Sequence, residues 1–174
     1  MPMTSPLISF VRDVPDFPKA GILFRDITPL LADAEAFGLA VAAMAQPVLT
    51  LQPTHVLGLE SRGFIFGSAL AQKLGIGFVP ARKPGKLPMA THSESYGLEY
   101  GSDALEIHQD AFKAGDRVLI VDDVMATGGT AAAAQRLVQR TGAQPVALTV
   151  FIELTQLPGR EKVEGLPVFS VIRY

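Results

Sequence analysis

Short apolar runs alternate with helix-like segments along most of the chain after residue 50. Runs rich in Val, Ile, Leu and Phe predict buried strands at residues 54–60, 77–82, 117–123 and 145–153. Segments that end in glycine predict helices between them, at residues 63–75 and 129–142. This βαβ order predicts an α/β fold with a mainly parallel sheet, helices on both faces and ligands beyond the carboxyl ends of the strands.

Two helices are expected before this pattern begins. Ser5 and Pro6 are typical of an N-cap and a first helical residue, and they predict a short helix that ends near residues 13–18, where two prolines favour a loop. Asp33 is a candidate N-cap for a second helix, which Pro47 would end or kink.

Residues 83–103 interrupt the pattern with prolines, glycines and polar residues, and they are too many for an ordinary connection. Residues 104–110 then alternate apolar and polar positions well enough to form a strand that returns to the sheet. We therefore expect a hairpin-like, flexible lid that is mobile without ligand.

The composition narrows the class of protein. A chain of 174 residues is long enough for one substantial core and short for two, so we expect a single domain over residues 1–174. The 15 basic and 17 acidic residues leave a net charge of -2, which argues against a nucleic-acid surface built on bulk positive charge. The chain has no cysteine and no signal-peptide order, and its most apolar stretch, residues 37–44, is far shorter than a bilayer span. The expectation is a cytoplasmic protein without membrane contact.

The segment VLIVDDVMATGGT, residues 118–130, places two carboxylates and a glycine pair at one predicted strand end. Asp122 and Asp123 are expected where the strand ends, before a helix that starts near Thr130. Backbone N–H groups of the turn would then converge at a helix N-terminus, where they can bind phosphate oxygens. No lysine follows the glycines, which distinguishes the turn from a Walker A loop and favours a monophosphate. Carboxylates beside it suit vicinal hydroxyls, so the pattern predicts a ribose 5-phosphate site.

A second anion site is suggested by cations elsewhere in the chain. Arg62 lies in ESRGF, residues 60–64, at another strand-to-helix turn, where a guanidinium and backbone donors can meet an anion. Arg82, Lys83 and Lys86 place three positive charges within five residues, where the expected lid begins. Alone, each segment is also typical of an ordinary surface arginine or a solvated loop; beside the first motif, both favour a pyrophosphate site.

These segments together resemble the phosphoribosyltransferases that use phosphoribosyl pyrophosphate, and above all the members of that family that act on adenine. The resemblance is carried, in order and over nearly the whole chain, by FPKAGILFRDITPLL, ESRGFIFG, RKPGKLP, SYGLEYG, LEIH, VLIVDDVMATGGT and GREK. It implies the type I phosphoribosyltransferase fold, with a small N-terminal hood over residues 1–33 and a lid over residues 83–103. It also implies conversion of adenine and 5-phosphoribosyl 1-pyrophosphate to AMP and pyrophosphate, with Mg²⁺, by a homodimer.

The resemblance implies roles for individual residues around the base. Phe24 would stack on adenine, and Leu23 and Leu154 would line its pocket. The backbone of Arg25 would read the Watson–Crick edge of the base. Glu99 would face the imidazole side as a catalytic residue, which either takes a proton or accepts a hydrogen bond.

The remaining implied roles concern the phosphoribosyl donor. Its ribose would lie against Asp122 and Asp123, and Mg²⁺ would be bound through the donor, with Asp122 as the one candidate protein ligand. The 5′-phosphate is assigned to Ala126, Thr127, Gly128, Gly129 and Thr130. The pyrophosphate, with Arg62 in a catalytic role, is assigned to Glu60, Ser61, Arg62, Arg82, Lys83 and Lys86. A cis peptide bond is implied between Glu60 and Ser61.

Two rival functions remain open at this stage. One is an enzyme of the same fold that acts on a 6-oxopurine or on orotate, because base choice depends on a few backbone hydrogen bonds. The other is a regulator that senses phosphoribosyl pyrophosphate without turnover. A regulator of that kind would want a DNA-binding module and a basic surface, for which this chain has neither the length nor the charge.

Overall fold

Nine strands and four α-helices form the part of the chain that the computed structural model describes, residues 6–97 and 102–174. The strands are β1 (Arg12–Pro15), β2 (Leu23–Asp26), β3 (His55–Leu59), β4 (Gly77–Ala81), β5 (Thr91–Gly97), β6 (Ser102–His108), β7 (Arg117–Met125), β8 (Gln144–Glu153) and β9 (Val168–Arg173). The α-helices are α1 (Thr28–Ala32), α2 (Ala34–Ala45), α3 (Gly63–Leu74) and α4 (Gly129–Arg140). Short 3-10 helices occupy Pro6–Phe10, Gln46–Leu51 and Arg160–Lys162.

The central sheet has five strands in the order β4-β3-β7-β8-β9, and every neighbouring pair is parallel. This confirms the predicted parallel sheet and places β7, which carries the carboxylate motif, in its middle. Strand β9 was not expected from the pattern. It joins the edge of the sheet beside β8, so the end of the described chain lies next to the carboxyl end of β8.

Side chains of β7 alternate between two hydrophobic cores. Val118 and Ile120 point into a core on one face, which is completed by α4 and the β5–β6 hairpin. Leu119 and Val121 point into a core on the other face, which is completed by α2 and α3. Because a strand buried on both faces is apolar at nearly every position, its sequence is a continuous run rather than an alternating one.

The capping signals for the helices are confirmed at two positions. Asp33 accepts a hydrogen bond from the Ala36 N–H at 2.9 Å and so caps α2. Gly75 ends α3 in the left-handed conformation, with φ of 67°. The expected opening helix is instead a 3-10 turn, Pro6–Phe10, which runs almost directly into β1 and leaves no room for a longer helix.

The apolar segment at residues 34–51 is longer than the stretch at residues 37–44 on which the sequence expectation was based. Within the described residues it is the one stretch long and apolar enough, by length and composition alone, to cross a membrane. In the fold it is divided into α2 and the 3-10 helix Gln46–Leu51, and its fully buried side chains include Ala40, Met44 and Val48.

The expected lid forms an antiparallel hairpin of β5 and β6, but the returning strand does not join the main sheet. Its apolar positions Leu105 and Ile107 are fully buried in the core on the α4 face, which satisfies the alternation that suggested a sheet strand. A single bridge, Arg82 with Glu106, links β6 to the segment after β4. Residues 98–101, which separate β5 from β6 in the sequence, lie outside the described residues.

Strand β7 is longer than predicted, so the expectation that Asp122 and Asp123 end the strand is wrong. The strand continues to Met125 because β8 also continues, and Met125 is paired with Glu153. The two aspartates therefore lie within the paired part of β7, and the anion-binding turn begins after the strand ends at Met125.

We predict that Phe66→Ala lowers the free energy of unfolding by about 3–5 kcal/mol, the usual cost of emptying a buried aromatic site. The Phe66 ring is fully buried and stacks on Phe151, with ring centroids 5.4 Å apart. Leu39 on α2 is 53% exposed, so Leu39→Ala should change that free energy by less than about 0.5 kcal/mol. Urea unfolding followed by circular dichroism measures both variants; equal losses would contradict this assignment of the core.

Candidate active site

The turn between β7 and α4 forms a small cavity at the carboxyl end of the sheet. Gly128 adopts a left-handed conformation, with φ of 79°, and α4 begins at Gly129. The first N–H groups of α4 have no partner within the helix and can serve an anion. The cavity measures about 100 Å³, and its lining includes Asp122, Ala126, Thr127, Gly128 and Thr130. The structure thus brings together most of the residues that the sequence assigned to ribose and 5′-phosphate.

Asp122 and Asp123 differ in their surroundings although they are neighbours. The Asp122 Oδ1 atom accepts a hydrogen bond from the Asp123 N–H at 2.8 Å. Burial and the adjacent Asp123 carboxylate raise the pKa of Asp122 well above its ordinary value, and they outweigh the Asp123 N–H and the Arg62 charge, which lower it. Its carboxyl group therefore resists ionisation until a positive group approaches.

Arg62 connects the second predicted anion site to these carboxylates. Its Nε atom lies 2.7 Å from Asp123 Oδ2 as an ion pair, but the approach lacks hydrogen-bond alignment. Within residues 6–97 and 102–174, Asp123 Oδ2 is the buried side-chain atom that has no hydrogen-bond partner. A desolvated oxygen in this position favours a further cation or donor.

Gly63 explains how Arg62 reaches this position. A Cβ atom at Gly63 would lie 2.8 Å from the Val121 carbonyl oxygen and 3.0 Å from Asp122 Oδ1. The start of α3 can therefore rest directly against β7 only because this residue has no side chain. The peptide bond between Glu60 and Ser61, just before this turn, is cis, as the resemblance implied.

The base-binding candidates lie on the hood hairpin β1–β2 and beside it. The Arg62 guanidinium carbon lies 4.8 Å from the centroid of the Phe24 ring, which brings the predicted stacking residue next to the anion groups. Leu23 is half-exposed on the same strand. The Arg25 side chain pairs with Asp13 and lies 3.7 Å over the Tyr174 ring, so it is engaged within the protein.

Leu154 follows β8 at the same end of the sheet. Its N–H group donates to the Met125 carbonyl oxygen at 3.0 Å, and its side chain packs against the core that contains α2 and α3. This places the residue beside the start of the anion-binding turn. The catalytic candidate Glu99 falls in residues 98–101, outside the described part of the chain.

The lid cations are held by acidic side chains. The Glu60 carboxylate accepts the Lys83 N–H at 2.7 Å and the Arg82 Nε–H at 3.4 Å, and it pairs with Lys86. Burial would raise the pKa of Glu60, but the hydrogen bonds from Lys86, Lys83 and Arg82 outweigh it and the pKa is lowered. The Glu60 side chain therefore holds together the three cations that the resemblance assigns, with Glu60 itself, to the pyrophosphate site.

Lys83 contacts the β5–β6 hairpin near its turn end, where Tyr96 pairs with Asp103. Its ammonium group donates to the Tyr96 hydroxyl at 2.6 Å and pairs with Asp103, which in turn accepts from Tyr96 at 3.1 Å. Tyr96 also lies 3.5 Å from the position of a Cβ atom at Gly129, the first residue of α4. The hairpin therefore links a lid cation to the anion-binding turn.

Sequence reasoning missed several of these partners. Tyr96 lies in SYGLEYG without a predicted role of its own, Tyr174 has no predicted role, and Asp103 falls in the expected lid. No local signal identifies them, because Lys83 and Asp103 are 20 residues apart and are brought together by the tertiary bridge between Arg82 and Glu106 of β6. Their spacing has no helix or strand period that a pattern could reveal.

Comparison with known proteins assigns the chain to the same class of protein that its fold and its anion-binding turn indicate. Residues 30–171 match the phosphoribosyl transferase domain. The adenine phosphoribosyltransferase of Carboxydothermus hydrogenoformans is 56% identical, over 97% of this chain and 99% of its own length. The solved adenine phosphoribosyltransferase of Thermoanaerobacter pseudethanolicus superposes with a TM-score of 0.93 at 48% identity, covering 95% of this chain and 96% of that one.

A third comparison adds a ligand complex. The adenine phosphoribosyltransferase of Saccharomyces cerevisiae, solved with D-2,5-dideoxy-2,5-imino-altritol 1,6-bisphosphate and adenine, has a TM-score of 0.91 at 42% identity, covering 95% of this chain and 96% of that one. Similarity of this extent shows that the chain belongs to the phosphoribosyltransferase family. Within that family it belongs with the adenine phosphoribosyltransferases.

We predict that Asp122→Asn raises the melting temperature at neutral pH, although it alters the candidate site. Because the folded protein raises the pKa of Asp122, ionisation costs stability as the pH rises above about 3.9, the ordinary aspartate value, and through the raised pKa. The advantage of the variant should be absent below about pH 3.9 and should grow toward neutral pH. Scanning fluorimetry over this pH range measures it.

Asp110→Asn, in the exposed turn after β6, is the matched control and should leave the melting temperature nearly unchanged at every pH. An advantage for Asp122→Asn that does not vary with pH would contradict the electrostatic explanation.

Proposed function

We propose that this chain transfers the phosphoribosyl group of 5-phosphoribosyl 1-pyrophosphate to adenine, and releases AMP and pyrophosphate. One observation carries the proposal: Arg62 lies at once against Asp123 beside the anion-binding turn and over the ring of Phe24 in the hood. The phosphoribosyl donor, which carries phosphate groups at both ends, and the flat adenine ring would meet beside Arg62. The family to which the chain belongs performs this reaction in purine salvage.

The 5′-phosphate is assigned to residues 126–130. Backbone N–H groups at the start of α4 supply donors and a partial positive charge, and the hydroxyl groups of Thr127 and Thr130 can add further donors. The ribose hydroxyls are assigned to Asp122 and Asp123, whose carboxylate oxygens accept hydrogen bonds. The distance between these groups is set by β7 and does not depend on a flexible loop.

The pyrophosphate is assigned to Arg62, the Ser61 backbone and the cations Arg82, Lys83 and Lys86. Each of these cations has an acidic partner in the chain, so pyrophosphate oxygens would replace Asp103 at Lys83 and compete with Glu60 at Lys86. Such an exchange costs less than desolvating an unpaired cation, because one anionic partner replaces another. Their acidic partners therefore keep these cations ordered before the donor binds, and the cations retain their positive charge.

Magnesium is expected to enter with the donor. Within the described residues, no cluster of three His, Cys, Asp or Glu side chains could hold a metal ion. Asp122 and Asp123 nevertheless offer carboxylate oxygens, and the buried Asp123 Oδ2 has no hydrogen-bond partner, so the pair fits an ion held mainly by substrate phosphates. When bound, Mg²⁺ would offset negative charge on the departing pyrophosphate.

The base is assigned to the hood. Phe24 offers a ring for stacking, Leu23 and Leu154 supply apolar walls, and the backbone of Arg25 offers a carbonyl and an N–H group to the Watson–Crick edge. Glu99 is assigned to the imidazole side of adenine. There it would accept the proton that the attacking ring nitrogen loses, or polarise the ring through a hydrogen bond.

The reaction builds positive charge on the ribose and negative charge on the pyrophosphate. Arg62 and the lid lysines would stabilise the leaving group, while Asp122 and Asp123 lie close to the ribose. Closure of the hairpin over the site would exclude water, which could otherwise hydrolyse the donor. The lid residues 83–103 are assigned this gating role.

We further propose a homodimer, as the resemblance implies, in the cytoplasm, as the composition led us to expect. Other apolar side chains are exposed, including Leu49 and Met89, which is consistent with an additional interface. Sedimentation velocity distinguishes a dimer from a monomer, and a monomer at micromolar concentration would contradict the first part of the proposal.

We predict a specificity constant for adenine at least about 10⁴-fold above that for hypoxanthine or guanine. Adenine offers an N–H donor beside an acceptor nitrogen, whereas the 6-oxopurines offer the opposite order and would leave buried backbone groups unpaired. Steady-state release of pyrophosphate with a panel of bases, orotate included, measures this. Comparable constants for two bases would contradict the adenine assignment and leave the donor site intact.

We predict that Arg62→Ala weakens inhibition by pyrophosphate and raises KM for the donor by roughly 10-fold or more, the cost of a lost charge-assisted hydrogen bond. Lys73→Ala removes an exposed cation at the other end of α3 and should change neither constant. Product-inhibition kinetics measure both variants. Unchanged pyrophosphate inhibition in Arg62→Ala would contradict the assignment of the second anion site.

A further inference from the structure

The segment after β8 presses against the anion-binding turn. A Cβ atom at Gly128 would overlap the carbonyl oxygen of Gly159, and one at Gly159 would lie 2.6 Å from the Ala126 carbonyl oxygen and 3.0 Å from Met125 Cγ. Two backbones therefore touch with no side chain between them. Any shift of residue 159 must move the turn or open a gap beside it.

Arg160 and Glu153 hold this segment in place. The Arg160 guanidinium makes a two-pronged pair with the Glu153 carboxylate, at 2.5 and 2.8 Å, and a third N–H group donates to the Val168 carbonyl oxygen at 3.0 Å. Glu153 is 3% exposed and also accepts from the Ser170 hydroxyl at 2.6 Å. One side chain thus ties the residue next to Gly159 to both β8 and β9.

Glu153 is itself joined to the turn through the sheet. It is paired with Met125, the last residue of β7, and the next residue, Leu154, donates its N–H group to the Met125 carbonyl oxygen at 3.0 Å. The turn is therefore bounded on one side by the ladder of β7 and β8 and on the other by Gly159. Neither Arg160 nor Glu153 is among the residues that line the cavity.

We infer that Arg160 and Glu153 are positioning residues for the 5′-phosphate: their ion pair presses Gly159 against Gly128 and so sets the shape of the phosphate-binding turn. This inference rests on the proposed function, because it takes the turn at residues 126–130 as the phosphate site. It deepens that function by assigning part of the affinity for the donor to two residues that do not touch it. The ligand class that the turn would bind is a phosphomonoester, such as ribose 5-phosphate.

The decisive variant is Arg160→Ala. It should raise KM for the donor and the dissociation constant of ribose 5-phosphate by roughly 10- to 100-fold, because a misplacement of about 1 Å in binding groups has effects of this size. KM for adenine should change little, since the hood is not involved. Arg160→Lys should recover only part of the loss, because an ammonium group cannot make the two-pronged contact.

Arg173→Ala is the matched control. Arg173 approaches the same carboxylate, with Nε 3.4 Å from Glu153 Oε2, but it is 61% exposed and lies on β9, 14 residues after Gly159 in the sequence. Donor and ribose 5-phosphate constants should stay close to those of the wild type. Isothermal titration calorimetry with ribose 5-phosphate and steady-state kinetics measure all variants.

A lower melting temperature in Arg160→Ala with unchanged constants for the donor and for ribose 5-phosphate would overturn the inference, as would equal changes in Arg173→Ala. If Arg160→Ala does not fold, Arg160→Lys keeps the test, because it retains the charge without the two-pronged contact and should still raise the same two constants. A wild-type protein that makes no AMP would contradict the proposed function, whereas an active wild type with unaffected variants contradicts only this inference.

Discussion

The binding end of this fold depends on places where backbones approach too closely for any side chain. Gly63 rests on the Val121 carbonyl, and Gly128 and Gly159 rest on each other. These contacts bring the start of α3, the start of α4 and the segment after β8 to the end of one strand, β7. Because the approach is made by backbone, the positions of the anion-binding groups follow from the sheet and vary little with side-chain motion.

The cations of the site are arranged in pairs with acids of the chain. Arg62 lies against Asp123, Lys83 against Asp103, and Lys86 against Glu60. Uncompensated, these cations would repel one another and hold the lid away from the sheet. Paired, they remain ordered, and a polyanionic donor can take over as their partner. Affinity for the donor is therefore a difference between two sets of ion pairs, which suits a substrate that must bind and a product that must leave.

Two acidic side chains, Glu153 on β8 and Asp122 on β7, show how the same chemical group can serve the fold at one position and the site at another. On β8, the hydrogen bond from Arg160, followed by those from Ser170 and the charge of Arg173, lowers the pKa of Glu153 in spite of burial. On β7, burial and the adjacent Asp123 raise the pKa of Asp122. The Glu153 carboxylate is paired with positive and hydrogen-bonding groups and stabilises the fold. The Asp122 carboxyl group lowers the stability of the fold, as groups at binding sites often do.

The sequence by itself determined the class of fold and the central motif. The apolar runs around residues 54–60 and 117–123 indicated a parallel sheet, Asp33 and Gly75 indicated helix ends, and the Thr-Gly-Gly-Thr turn indicated an anion site. These signals are local, because they report hydrogen bonds and backbone conformations within a few residues. Tertiary structure alone decided that β7 extends to Met125, that Arg62 lies between Asp123 and Phe24, and that Lys83 meets Asp103. Each of these depends on which distant segments pack together, and close packing is set by the whole core and not by any local pattern.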